Sequence, residues 1–162
     1  MKKSRIIPVA LLSIVAAATF TCASPLALIF KSQTVDQRVE WRTDLNAAHD
    51  EAVRKNLPML IVFDADWCAY CQKMEDSTLS DTTVVSYIND KFIPVHLSLE
   101  DDARVAEILE VERIPCTIAL SPQADLLGRV VGYVNTVQYR ETLAKVRALQ
   151  VRVDRTLAAQ AT

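Results

Sequence analysis

The sequence lacks features that would point to several common classes of binding protein. Beyond the first five residues, lysine and arginine form no cluster, and the 18 basic residues are outnumbered by 20 acidic ones. Because nucleic acids are held mainly through contacts of basic residues with phosphates, this balance excludes nucleic acid as a partner. Internal repeats and low-complexity segments are also absent from the sequence. At 162 residues, the chain is expected to form one domain with its own hydrophobic core.

Cysteine and histidine are scarce, with four and two residues, which limits the metal sites that the chain could build. Two of the cysteines, Cys68 and Cys71, stand three residues apart in the stretch DADWCAYCQKME. A structural zinc site takes four ligands, usually from two such pairs. The remaining candidates, Cys116, His49 and His96, are isolated in sequence, so a metal site is disfavoured. The cysteine pair could instead close a structural bridge or exchange electrons.

The N-terminal segment has the features of an export signal. Three basic residues are followed by an unbroken apolar stretch, Ile6 to Ala18, and by small residues where cleavage after Ala23 is expected. Cleavage there would leave 15 basic and 20 acidic residues, a net charge of −5. Alternatively, the 25 uncharged residues from Ile6 to Phe30 could form an uncleaved membrane anchor; a lipid-modified Cys22 fits less well. Each alternative predicts a periplasmic or otherwise extracytoplasmic domain.

The rest of the chain is predicted to alternate between helices and strands. We expect a linker over 31–42, an α/β domain over 43–150 and a helical extension over 151–162. The sheet should carry helices on both faces and a hairpin at one edge. Apolar spacing places Val53 and Ile108 on the inward faces of their helices. The predicted helices are Asp44–Asn56, Cys68–Leu79, Thr83–Asn89, Asp101–Glu110 and a long one from Thr136, and the predicted strands are Met59–Phe63, Phe92–Leu99, Thr117–Leu120 and Leu126–Val131.

The position of the cysteine pair favours redox chemistry over a structural bridge. The pair follows a short apolar run and opens a predicted helix, so both sulfurs should lie on one face, one turn apart. Unpaired backbone N–H groups and the helix dipole favour an anion there, which predicts that Cys68 is the attacking thiolate. Cys71 is predicted to be more buried and to resolve the mixed disulfide that Cys68 forms with a substrate.

The segment Ile114-Pro115-Cys116, just before the predicted hairpin, is the second candidate feature. Proline makes a cis peptide bond accessible, and a tight turn of this kind could lie against the two sulfurs. An ordinary trans proline at the start of a strand fits the same residues. Sequence alone does not decide between the two isomers.

These features together resemble the thioredoxin superfamily, over residues 57–149. The resemblance rests on the first strand, the motif Trp67-Cys68-Ala69-Tyr70-Cys71 and the later Ile114-Pro115 pair. Within the superfamily, the likeness is to the C-terminal periplasmic domain of the thiol:disulfide interchange protein DsbD and related exported proteins. It implies a thioredoxin-like fold, a central mixed sheet flanked by helices, and disulfide exchange with protein thiols or disulfides, in the reductase direction. No bound cofactor is implied, and a membrane electron donor is a candidate partner.

The resemblance also implies roles for residues around the pair. Pro115 would be the cis proline that faces the active site, and the backbone of Ile114 would pair with an extended segment of the substrate. Thioredoxins carry a buried aspartate where this chain has a valine. Asp64, two residues on and therefore on the same strand face, and Glu75 are the candidates to manage the proton of Cys71. A solvated surface charge is the alternative for each.

Trp67 and Cys116 each have two possible roles, and the fold itself could serve binding instead of catalysis. Trp67 is expected to shield the dithiol and to offer a flat contact surface for substrates, with simple packing as the alternative. Cys116 stands where the family often has threonine. It is either a third thiol that competes for the sulfur of Cys68 or a small buried core residue. The alternative to an enzyme is a thioredoxin fold that captures a client protein or a copper ion on its dithiol without turnover.

Overall fold

The computed structural model describes residues 38–160. The predicted export signal or anchor, residues 1–30, lies outside this part of the chain, as does most of the predicted linker. Within 38–160, none of the helices combines the length and the apolar character needed to cross a membrane.

The helices and strands of the described part follow the predicted order. Helix α1 shows how local sequence sets the bounds, because the carboxylate of Asp44 accepts hydrogen bonds from the backbone N–H groups of Asn46 and Ala47. At the other end, Asn56 takes a left-handed conformation that closes the helix. The elements are α1 Leu45–Lys55, β1 Met59–Asp64, α2 Ala69–Met74 continued by a π-helical turn Glu75–Leu79, α3 Thr82–Lys91, β2 Ile93–Ser98, α4 Ala103–Ile108, β3 Cys116–Leu120, β4 Leu126–Val131 and α5 Thr136–Gln160.

The sheet is mixed, with the strand order β2-β1-β3-β4. Strand β1 runs parallel to β2, where Met59 lies opposite Ile93, and antiparallel to β3, where Phe63 lies opposite Cys116. Strands β3 and β4 form the predicted antiparallel hairpin at one edge. This confirms the mixed α/β architecture, and it makes β1 a central strand whose end leads directly into the cysteine pair.

The two faces of the sheet bury different side chains. Alternation along β1 sends Leu60 and Val62 to the face covered by α2, α3 and α5, and Ile61 and Phe63 to the face covered by α1 and α4. Burial of one such aliphatic or aromatic side chain contributes about 1.5–3 kcal/mol. The central strand is therefore held from both sides, which fixes the position of its end.

Two predicted inward positions are wrong. Val53 is 54% exposed and Ile108 is 69% exposed. From these two helices, Ala48, Ala52 and Ala106 are buried against the sheet, and Leu45, Val105 and Leu109 pack against the same cluster. Val53 and Ile108 lie at the margin of this contact, where their side chains face solvent.

The ends of the described part differ in how they contact the domain. Val39 is buried, and Arg42 forms a parallel bridge with Val95 along the outer edge of β2. The last residues of the predicted linker, Val39 and Arg42 among them, therefore contact the domain. At the other end, α5 runs without a break to Gln160, so residues 151–160 of the predicted helical extension are its last turns, and their side chains are exposed or half-buried.

Candidate active site

A disulfide bond joins Cys68 and Cys71 just beyond the end of β1. The Cα atoms are 5.2 Å apart, within the usual range for bridged cysteines. The backbone N–H of Cys68 donates to the carbonyl of Ala65 at 3.0 Å, and this turn brings Cys68 to the N-cap position of α2. The strand, the turn and the helix together place the pair at the end of the sheet.

The sulfur of Cys68 is directed toward the first turn of α2. It accepts a hydrogen bond from the backbone N–H of Cys71 at 3.1 Å. The first N–H groups of a helix have no partners within the helix, so such a donor can stabilise negative charge on a sulfur. The local geometry is that expected for a thiolate at Cys68 once the bond is reduced.

The two cysteines are buried to the same extent. Each is 6% exposed, so the prediction that Cys71 lies deeper than Cys68 is wrong. Both pack with Ala65, and the side chains of Leu99 and Ile114 lie against this small cluster. These two side chains come from loops that follow β2 and precede β3, and they help to cover both cysteines.

The loop before β3 brings Ile114 and Pro115 to the cysteine pair. The peptide bond between them is cis, the isomer that the resemblance implies. Pro115 is buried, and its carbonyl accepts a hydrogen bond from the backbone N–H of Gly132 at 2.7 Å. The backbone groups of Ile114 make no hydrogen bond to any residue within 38–160. They are therefore open to pair with a segment of another chain.

Two large aromatic side chains flank the disulfide and face solvent. Trp67 is 69% exposed and Tyr70 is 65% exposed. The indole N–H of Trp67 donates a hydrogen bond to the carboxylate of Glu100, in the loop after β2. The ring of Trp67 is thus held outside the core, where it offers a contact surface beside the cysteines.

Asp64 is paired with His96 on the neighbouring strand. Its Oδ2 lies 2.7 Å from Nε2 of His96, and the side chains are 33% and 37% exposed, respectively. This hydrogen bond is the main cause that raises the pKa of His96. The charges of Asp64, Glu75 and Asp102 act in the same direction, against the effect of burial.

His96 is the residue of this site that sequence reasoning missed. In the sequence it is an isolated histidine within the predicted strand Phe92–Leu99. In the parallel register, His96 lies opposite Val62, so the side chains of Val62, Asp64 and His96 share one face of the sheet. The pairing of β1 with β2, once known, is the signal that would have found it.

Glu75 lies in the π-helical turn, close to the same group of side chains. Partial burial raises the pKa of its carboxyl, Asp64 and Asp76 act in the same direction, and His96 opposes them. A cleft of about 300 Å³ is lined by Asp64, Cys71 and Glu75, among others. Both carboxyl groups proposed from the sequence to manage the proton of Cys71 therefore share a cleft with it.

Cys116 lies on the opposite face of the sheet from Asp64. It is 1% exposed and packs in the apolar cluster that contains Phe63 and Ile118. Burial raises the pKa of its thiol. A buried thiol of this kind forms little thiolate, so the geometry favours the core-residue alternative over a competing third thiol.

The surroundings of the pair, like the rest of the described residues, offer no cluster of metal ligands. Residues 38–160 contain no group of three or more His, Cys, Asp or Glu side chains placed to hold a metal ion. His49 is outside the site, and its Nε2 lies 3.1 Å from the carbonyl oxygen of Pro122. What the arrangement can do is break and remake one disulfide.

Comparison with known proteins gives the family of this architecture. Residues 45–147, more than half of the chain, match the family model described as a thioredoxin-like domain. The structure is similar to DsbH oxidoreductase, with a TM-score of 0.63 and 15% identity over 69% of this chain and 86% of that one. It is similar to a thioredoxin from Thermus thermophilus, with a TM-score of 0.62 and 23% identity over 67% of this chain and 86% of that one. It is also similar to the oxidised C-terminal domain of Neisseria meningitidis DsbD, with a TM-score of 0.54 and 19% identity over 62% of this chain and 94% of that one.

Proposed function

Because this chain belongs to the thioredoxin-like family, we propose that it exchanges disulfides with protein substrates through Cys68 and Cys71. Family membership and the bridged pair support a thiol-disulfide oxidoreductase at the general level. The observation that carries the proposal is the disulfide at the start of α2, with the open backbone of Ile114 beside it.

In the proposed reaction, the thiolate of Cys68 attacks one sulfur of a substrate disulfide. A mixed disulfide forms, and the other substrate sulfur leaves as a thiolate that takes a proton from solvent. The thiol of Cys71 then loses its proton and attacks the sulfur of Cys68, which releases the second substrate thiol. Two electrons pass from the dithiol to the substrate, and an external thiol reductant must return them.

The substrate is proposed to lie across the open backbone of Ile114. An extended segment that pairs with main-chain groups is held largely independently of its sequence, which suits exchange with many proteins. Pro115 would fix the loop that presents this backbone. Trp67 and Tyr70 would contact the residues on either side of the substrate disulfide.

We propose the reducing direction and a location outside the cytoplasm. The direction rests on the resemblance of the motif around Cys68 and Cys71 to the C-terminal domain of DsbD. The location rests on the basic residues and the apolar run at the start of the sequence. A membrane electron donor would then supply the electrons, and residues 6–30 would hold an uncleaved form near it.

Insulin reduction by dithiothreitol tests the activity. We expect the wild type to accelerate the appearance of turbidity and Cys68→Ser to run at the uncatalysed rate. Cys116→Ser is the matched control, because it makes the same change at a buried cysteine on the other face of the sheet. Equal rates for wild type and Cys68→Ser would contradict the proposal. Stoichiometric retention of copper together with equal rates would support the binding module instead.

A further inference from the structure

Two clefts adjoin the cysteine pair. The larger, of about 540 Å³, is lined by Trp67, and the smaller, of about 300 Å³, is lined by Cys71. Ala65 lines both clefts and packs with both cysteines. A substrate segment bonded to the sulfur of Cys68 therefore brings the side chains next to its own cysteine close to these clefts. Main-chain pairing at Ile114 does not select side chains, so selectivity has to come from groups such as these.

The two clefts are lined by carboxyl groups. The acidic side chains of the larger cleft are Asp64, Asp66, Glu100, Asp101 and Asp102. The smaller cleft adds Glu75 and Asp76. No lysine or arginine of residues 38–160 lines either cleft, and His96 is the only lining group that can become positive. A segment that enters the clefts therefore meets mainly negative charge.

The basic residues of the described part do not neutralise these carboxylates. Within 38–160, lysine and arginine form ion pairs only with acidic residues that line neither cleft. Lys73, close to the cysteine pair in sequence, lies instead over the ring of Tyr133, with Nζ 4.2 Å from the ring centroid. His96 pairs with Asp64, so its charge offsets at most that one carboxylate. The clefts keep a negative charge that a partner can meet.

Trp67 adds an aromatic surface that is suited to a cation. Its N–H edge donates to Glu100, and the side chain is 69% exposed, so a face of the indole stays accessible beside the carboxylates. Among aromatic rings, indole is the best partner for a lysine or arginine side chain. Carboxylates bind the same two side chains through charge-assisted hydrogen bonds. The exposed ring and the carboxyl groups thus favour the same ligand chemistry.

The spread of the carboxyl groups favours a basic polypeptide over a metal ion. Ca²⁺, for example, needs about six to eight oxygen ligands around one point. Within 38–160, no three His, Cys, Asp or Glu side chains are placed to hold a metal ion. A lysine or arginine side chain needs only one or two of these groups, and its long stem lets it reach them from a neighbouring backbone. The dispersed charge therefore fits an extended segment that carries several cations.

Building on the proposed function, we propose that the substrates of this site are protein segments with lysine or arginine next to the reacting disulfide. The basic side chains enter the larger cleft, between the ring of Trp67 and the carboxylates of Asp66 and Asp101. One cysteine of the segment meanwhile reacts with the sulfur of Cys68. The negative clefts speed the encounter with a basic segment, and they slow the encounter with an acidic one.

Matched peptides test this preference. Three synthetic peptides carry the same disulfide-closed loop, flanked on both sides by lysine, glutamine or glutamate. Acid-quenched chromatography gives the rate constant with which the reduced protein reduces each peptide, and the rate with dithiothreitol normalises for intrinsic reactivity. The lysine peptide should react about tenfold faster than the glutamate peptide at low ionic strength, with the glutamine peptide between them. The ratio should approach one at about 1 M salt, where charges are screened within about 3 Å.

Two double variants with the same change in net charge separate the clefts from the rest of the surface. Asp66→Asn/Asp101→Asn should lower the ratio of the lysine rate to the glutamate rate about threefold at low salt. Asp50→Asn/Glu141→Gln neutralises exposed carboxylates on α1 and α5 that line neither cleft, and it should keep the wild-type ratio. Because a ratio is measured, partial loss of folded protein does not affect the comparison.

The outcomes distinguish this preference from the proposed function on which it rests. If the reduced protein reduces none of the peptides, the proposed function itself fails. If it reduces all three at equal normalised rates, the basic preference alone fails. A ratio that does not respond to salt, or an equal loss in both double variants, would also overturn the preference, because neither result fits attraction by the carboxylates of the clefts.

Discussion

The two faces of the sheet differ in chemistry although the same strands build both. The face under α1 and α4 is apolar along its whole length, from Met59 to Phe63 on β1 and from Ile93 to Leu97 on β2. The other face is apolar against α3 and α5 but becomes ionisable toward the end of the strands, at Asp64 and His96. The comparison indicates that one face is wholly apolar core, while the end of the other brings ionisable side chains to a cleft that Cys71 also lines.

Removing volume from the apolar face should have the largest effect on stability. Ile118→Ala empties part of a fully buried site on β3, and changes of this kind cost about 2–5 kcal/mol. Urea unfolding measures the loss, and Ile118→Val is the control, with an expected cost of about 0.5–1.5 kcal/mol. The folded fraction should keep the wild-type reduction potential. A shift of that potential would show that the faces are not separate in function.

The variant Cys116→Ser tests whether Cys116, on the apolar face, serves only as a core residue. A hydroxyl buried there without a partner should cost about 1–3 kcal/mol in the free energy of unfolding. The distribution of mixed disulfides trapped on the protein should not change, because the buried thiol takes no part in exchange. Altered trapping, with or without a loss of stability, would restore the hypothesis of a third reacting thiol.

The sequence alone could predict features that depend on residues close together in the chain, but not those that depend on contacts between distant segments. The apolar run of β1 is local, as is the spacing that predicts Cys68 and Cys71 to be one helical turn apart, and both predictions are confirmed. The pairing of Asp64 with His96 needs the register of two strands that are distant in sequence. The burial of Cys68 was likewise missed, because Leu99 and Ile114 come from two separate loops.

Glu51 of α1 forms ion pairs with Arg42 and Lys55. The direction in which they change the stability with pH follows from the pKa of Glu51. Hydrogen bonds from Arg42 and Lys55 lower the pKa of Glu51 from 4.5 to about 2. A lowered pKa stabilises the fold above pH 4.5, and this contribution is lost as the pH falls from about 4.5 toward 2. Glu51→Gln should cost about 1 kcal/mol at neutral pH and little at pH 2. A cost that does not depend on pH would refute the ionic explanation.

The pairing of His96 with Asp64 should have the smallest effect on stability. Its dependence on pH should run opposite to that of Glu51. Its pKa is raised in the folded protein, so its pairing with Asp64 stabilises the fold below the unfolded pKa of about 6.5. That contribution is lost as the pH rises through the folded pKa. Because both side chains are about one-third exposed, we expect less than about 1 kcal/mol. Unfolding of wild type and His96→Gln on both sides of the transition measures it, and a difference that grows with pH would contradict the assignment.

The reduction potential of the Cys68 and Cys71 couple tests the central claim most directly. The protein is equilibrated with thiol redox buffers, and the fractions of dithiol and disulfide are counted after alkylation. We predict a reversible two-electron titration near thioredoxin's potential of about −270 mV, as expected for a reductase. A potential near −120 mV would reverse the proposed direction. A pair that stays oxidised to well below about −300 mV, like a structural disulfide, would contradict redox exchange altogether.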